Sequence, residues 1–134
     1  MNPLTKVSSL MATELITVMA STSLADAKAL FAKHHIHHLP VVSPEGNLVG
    51  IFSLTDLLKV TDILTATTTV GGLMTSHLAK LEPSDNVRTA ANLFAMNRFH
   101  ALPVVEGDKL VGILTTLDLI KLMDREKVRL EDYA

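Results

Sequence analysis

The chain has 134 residues, with twelve basic and fourteen acidic side chains, a net charge of −2 and no cysteine. That balance offers no general attraction for nucleic acid or anionic lipid, and it excludes disulfides, thiolate metal sites and a cysteine nucleophile. Hydrophobic residues make up 48% of the chain and aromatic ones only 4%, so Leu, Val, Ile and Ala must form the core, with Met filling gaps.

No apolar run approaches the ~18 residues of a membrane span. Met1–Leu10 lacks the basic start and apolar stretch of a signal peptide, so a soluble cytoplasmic protein is expected. Leu15–Val18 is short and apolar and predicts a strand. Thr22 or Ser23 then caps a helix that carries Leu24, Ala27, Leu30 and Phe31 on one face. "LPVV" (Leu39–Val42) predicts a buried strand begun by its proline. Pro44-Glu45-Gly46-Asn47 predicts a hairpin turn, "LVGIF" (Leu48–Phe52) the returning strand, and "SLTDLLK" (Ser53–Lys59) the start of a second helix.

From Val70 the text repeats. "VSSLM" (Val7–Met11) returns as "VGGLM" (Val70–Met74), and "ALFAKHHIHHLPVV" (Ala29–Val42) as "NLFAMNRFHALPVV" (Asn92–Val105). One residue is missing from the second hairpin turn, where a gap is tolerated. "LVGIFSLTDLLK" (Leu48–Lys59) then returns as "LVGILTTLDLIK" (Leu110–Lys121). Asp85 or Asn86 caps the second copy's helix, whose face is Val87, Ala90, Leu93 and Phe94. The expected units are 7–60 and 70–123, with a Thr-rich linker at 61–69 and a charged tail at 124–134. A sixty-residue unit buries little apolar surface. The two copies are therefore expected to stack about a pseudo-two-fold axis around one shared core, with grooves that take residues from both.

"KHHIHHLP" (Lys33–Pro40) suggests zinc, which would need His34, His37 and His38 on one continuous helical face. The helix is instead expected to end near His34 or His35, because "LPVV" must be extended. The second copy keeps only His37, as His100. No metal site is expected, and no catalytic constellation or Gly-rich phosphate loop is present.

The order "LM…LPVV…G-h-h-S/T-x-x-D" (h, a hydrophobic residue), given twice, resembles a tandem pair of CBS domains, or Bateman module, over about Val7–Met123. The resemblance implies an α/β (α+β) fold of two β-α-β-β-α repeats. It also implies adenosine-type ligands in the clefts between them: AMP, ADP or ATP, with or without Mg, or S-adenosylmethionine. In the family's motif the Asp holds the ribose hydroxyls, which here means Asp56 and Asp118, with Ser53 or Thr115 near ribose and phosphate. A carboxylate at a helix start is favoured as an anion and can accept both protons of a vicinal diol. The same residues also fit a capping box, a purely structural role. Thr55 adds a hydroxyl beside Asp56, where the second copy has Leu117.

In the regulatory gamma subunit of AMP-activated protein kinase, the ribose Asp of one repeat works with the adenine wall of its partner. The matching walls are Ile16 and Ile36 for Asp118, and Ala79 and Phe99 for Asp56. All four also fit ordinary core positions. The same comparison makes His37 and His100 phosphate contacts and the next position, here His38, a basic one, since an imidazole gains charge readily beside a phosphate; Arg98, and His35 opposite it, are expected to add cationic character. The function implied is regulatory and non-enzymatic: binding a nucleotide and signalling to an unidentified regulated protein, as a homodimer, without nucleic acid or membrane. The alternatives are a ligand-free dimerisation or scaffold module, and a sensor of S-adenosylmethionine or a metal ion.

Overall fold

A computed structural model describes residues 2–60 and 67–125; 61–66 of the expected linker and 126–134 of the expected tail lie outside the described residues. In the first half, α1 (Leu24–His34) leads to an antiparallel hairpin of β1 (His38–Val42) and β2 (Leu48–Ser53), followed by α2 (Leu54–Leu57). In the second half, α3 (Val70–Leu73) and α4 (Val87–Met96) precede the hairpin β3 (Ala101–Glu106) and β4 (Lys109–Thr115), then α5 (Thr116–Asp124). The architecture is α+β with two separate two-stranded sheets. Among the described residues no helix is long and apolar enough to cross a membrane.

Local chemistry fixes the helix ends. Of the candidate caps, Ser23 and Asn86 are used: their side chains accept from the Asp26 and Thr89 N–H groups at 3.1 and 3.0 Å. Thr22 and Asp85 brace the preceding turns instead, accepting from the Met19 and Glu82 N–H groups. At the other end α1 stops at His34, and His35 turns the chain in a left-handed conformation, φ 52°. That exit frees the chain to enter β1 as an extended strand.

The strand expected at Leu15–Val18 is reduced to a single parallel bridge between Val18 and Val41, and Leu81 and Val104 make its counterpart in the second half. The physical reason is the turn that follows at once: Thr22 N–H bonds the Met19 carbonyl and Met19 N–H bonds the Thr22 hydroxyl, so the ladder cannot extend.

The sequence repeats and the packing units do not coincide. Val7, from the first copy, is fully buried among Leu81, Ala90, Leu102, Val104 and Leu114 of the second. Val70, from the second copy, is fully buried with Leu24, Phe31, Leu39 and Phe52 of the first. Equivalent hydrogen bonds hold both crossings: Val7 N–H to the Asp85 carbonyl at 2.8 Å and Val70 N–H to the Thr22 carbonyl at 3.0 Å. Ala12 then bridges Ile113 on β4, and Thr75 bridges Ile51 on β2. At these bridges Met11 packs on Gly112 and Met74 on Gly50 so closely that a Cβ on either glycine would lie 2.5–2.6 Å from the sulfur. The glycine of "VGI" is thus a close-approach position, which any side chain would obstruct. In place of the single shared core expected from the sequence there are two cores, each completed by an apolar residue of the other copy.

The hairpin turns join the halves. Leu48 N–H donates to the Asp108 carbonyl at 2.9 Å, and its equivalent Leu110 N–H to the Gly46 carbonyl at 3.3 Å. Asn47 and Lys109, equivalent to one another, form the bridge between them. This reciprocity is the signature of the pseudo-two-fold axis.

Candidate functional site

Each returning strand ends at a hydroxyl that caps the next helix. Ser53 Oγ accepts from the Asp56 N–H at 3.2 Å, while the Ser53 N–H donates to Asp56 Oδ2 at 2.9 Å. Thr115 and Asp118 repeat the arrangement at 3.3 and 2.8 Å. Both are complete capping boxes, so each carboxylate is held in one orientation by its own helix. One oxygen is used in this way and the other remains. Asp56 Oδ1 meets the Lys59 ammonium at 3.4 Å, whereas the equivalent Lys121 makes no such pair with Asp118 among the described residues. Lys59 is largely exposed, so that contact is weak. Asp56 is buried and Asp118 only partly so. Thr55 adds its hydroxyl to the first box, 2.8 Å from Ser53 Oγ.

The same helix starts fix the histidines. Leu54 N–H donates to the His37 carbonyl at 2.9 Å, and Thr116 N–H to the His100 carbonyl at 3.0 Å. The backbone of each histidine is thereby tied beside its own half's acidic motif.

Two clefts result. The first, about 360 Å³, is bounded by Ser53, Thr55 and Asp56 of the first half and by Ala79, Phe99 and His100 of the second. Phe99 is braced by an edge-on contact with Phe94, ring centres 6.3 Å apart. The second cleft, about 400 Å³, is bounded by Thr115 and Asp118 of the second half and by Ile36, His37 and His38 of the first. His38 also borders the first cleft, and His100 the second. Each acidic motif therefore looks across a cleft at apolar and imidazole groups from the opposite half.

Ile16 stands apart. It packs, partly buried, against the first core and does not border the second cleft, because the bridge at Val18 ties its segment to β1. Two further basic residues border the first cleft: Arg98, directly before Phe99, and His77, two positions before Ala79. Arg98 was expected to add cationic character, whereas His77, expected on the surface, had only its adjacency to the wall as a signal. His38 is half-buried, and desolvation first, then the neighbouring His37 and His100, pull its pKa below the ordinary imidazole value, with Asp56 opposing. Among the described residues no group of three or more His, Asp or Glu side chains is arranged to hold a metal ion.

The CBS domain family matches this chain twice, over residues 7–62 and 70–125. The homoserine O-acetyltransferase of Methanocorpusculum labreanum is 32% identical over 126 residues, a match that covers 92% of this chain and 25% of that enzyme. The chain spans about a quarter of the length of curated relatives such as this one. Among solved structures, the CBS domain pair of protein MJ0100, in complex with 5′-methylthioadenosine and S-adenosyl-L-methionine, is similar with a TM-score of 0.84. It is 28% identical, and the match covers 93% of this chain and all of that one. CBSX2 of Arabidopsis thaliana, in complex with AMP, has a TM-score of 0.83 at 33% identity, over 90% of this chain and 97% of that one.

Proposed function

This chain belongs to the CBS domain family, and from that premise we propose that it is a regulatory, non-catalytic module that binds AMP, ADP or ATP in the clefts between its halves. The carrying observation is the placement of Asp56 and Asp118, each anchored by one oxygen and facing a wall from the other half. The second oxygen accepts from the ribose diol, as charge-assisted hydrogen bonds favour. In the first cleft it does so in exchange for the exposed Lys59. Ser53, Thr55 and Thr115 supply hydroxyls near the ribose, Phe99 and Ala79 form the adenine wall of the first cleft, and Ile36 that of the second. His37, His38, His100 and Arg98 face the phosphates. The AMP held by CBSX2 supports the choice of ligand.

A ligand that touches both halves stabilises one relative arrangement of them, and a partner reads that arrangement. The module pairs with a second copy through α5, whose Leu117, Ile120 and Met123 lie at helical spacing and are 53–62% exposed. A second reading, S-adenosylmethionine or 5′-methylthioadenosine as the ligand, is favoured by the complex of the MJ0100 pair.

Thermal melts with AMP, ADP, ATP and S-adenosylmethionine decide between these. A ligand at a hundredfold its Kd adds about 2.7 kcal/mol, a shift of several degrees. The expected result is a shift with a nucleotide that shrinks in Asp56→Asn or Asp118→Asn and vanishes in the double variant. A shift with S-adenosylmethionine alone selects the second reading. No shift with any of the four leaves both carboxylates as helix caps and nothing more.

A further inference from the structure

The two clefts share a wall: His38 and His100 border both. They also differ in what else carries positive charge. Arg98, a permanent cation, borders the first cleft only. Around the second, the basic side chains are all imidazoles: His35, His37, His38 and His100. We infer that His38 is a proton-controlled phosphate contact common to both clefts, so that phosphate binding in either cleft takes up a proton and weakens as pH rises.

This rests on the nucleotide reading above and adds its regulation. The groups that face His38 are His37 on the connection from α1, Asp56 on α2 and His100 before β3. Around the clefts stand also His35 and Asp118 on the second side, His77 and Arg98 on the first, with Lys59 holding the outer oxygen of Asp56. In the free protein, burial and two neighbouring imidazoles favour the neutral form of His38. A phosphate reverses the balance, because an anion within hydrogen-bonding range favours the imidazolium. The sign follows. Between the pKa of free His38 and its higher value beside a phosphate, binding takes up a proton, so affinity is greatest at low pH and falls through that window. Linkage sets the slope at about tenfold in affinity per pH unit for each proton taken up. Adenosine, with no phosphate, shows no such slope. Arg98 gives the first cleft a charge that does not titrate, so part of the phosphate attraction there persists at high pH.

Calorimetry on the full chain measures Kd for AMP and adenosine from pH 6 to 8, in Asp118→Asn (which leaves the Asp56 cleft) and Asp56→Asn (which leaves the Asp118 cleft). Each is repeated with His38→Gln added. The phosphate of AMP titrates in the same range, but equally in all variants, so it cancels between chains with and without His38→Gln. The expected result is a preference for AMP over adenosine that falls with pH in both backgrounds, with a slope reduced in both by His38→Gln. Unmodified protein at pH 7 in buffers of different ionisation enthalpy should show net proton uptake with AMP and none with adenosine, whether or not the variants fold. If adenosine binds and the preference for AMP has the same slope with and without His38→Gln, the inference fails while the nucleotide reading stands. An effect of His38→Gln in one background only also overturns it, since the histidine is then not shared. If neither ligand binds at any pH, both fall.

Discussion

The exchange of segments between the halves can be tested at Gly112. A Cβ there would lie 2.5 Å from Met11 Sδ, 2.9 Å from Met11 Cγ and 3.2 Å from the Ala12 carbonyl oxygen. The methionine must therefore move by about an ångström, roughly the shortfall from ordinary contact. The oxygen has little freedom, because Ala12 and Ile113 exchange hydrogen bonds of 2.9 and 3.1 Å. Overpacking of this kind costs about 1–3 kcal/mol, offset by about 0.4–1 kcal/mol from the stiffer unfolded chain. Gly112→Ala is thus expected to lose about 1–2 kcal/mol, or about 3–8 °C in Tm for a chain of this size. The decisive measurement is a double-mutant cycle by chemical denaturation. Met11→Ala vacates the space that the new methyl needs, so Gly112→Ala with Met11→Ala should be less destabilised than the sum of the two, by at least about 0.5 kcal/mol. Gly112→Ala with Met74→Ala should be additive, because Met74 packs on Gly50. If Met11 instead couples to Gly50, the copies are self-contained units and the interleaved fold is wrong.

Three further outcomes follow from the same geometry. Asp56→Ala strips the Ser53 N–H of its acceptor and should cost about 1–2 kcal/mol, whereas Asp56→Asn keeps an acceptor oxygen and should cost a few tenths; equal losses in urea titrations would show that the box is not the stabilising element. His35→Gly should raise stability by about 0.5–1 kcal/mol, because a left-handed residue at a helix end favours glycine, and a Tm at or below that of the parent would contradict the strain. Ile120→Glu should shift the sedimentation profile from dimer to monomer while leaving AMP binding intact, and a persistent dimer would move the interface away from α5.

The sequence carried the local features because each depends on neighbours in the chain. The turns, the hairpins and the helix exit near His35 follow from residues within a few positions of one another. The capping candidates came in pairs, and backbone geometry chose Ser23 over Thr22 and Asn86 over Asp85. The exchange of Val7 and Val70 was not legible for a definite reason. The two copies present nearly identical receptors, "LPVV" and "LVGI", so pattern alone cannot say which one "VSSLM" fills. A duplication makes the receiving half ambiguous while leaving the contact itself plain. The first strand failed differently: Leu15, Ile16 and Val18 satisfy a strand pattern, but the turn at Met19–Thr22 allows one bridge only.

The exchange also bears on how the site works. Ala12, in the segment that crosses over, borders the second cleft, and Thr75, its counterpart, borders the first. Each lies directly beside the methionine that packs on the motif glycine, three residues before the capping hydroxyl. A change in the tilt of one half moves the crossing segment, and with it the strand that presents Ser53 or Thr115. On the proposed reading, a ligand held by the carboxylate at the end of that strand would therefore act on the element that joins the halves. Were the copies self-contained, with contact only at the hairpin turns, a cleft could fill without straining anything between them. Here the two cores cannot be pulled apart without extracting Val7 and Val70, so the relative arrangement of the halves is constrained by packing as well as by ligand. Packed interfaces of this kind settle into discrete arrangements rather than deform smoothly, which would give the proposed nucleotide a state to select.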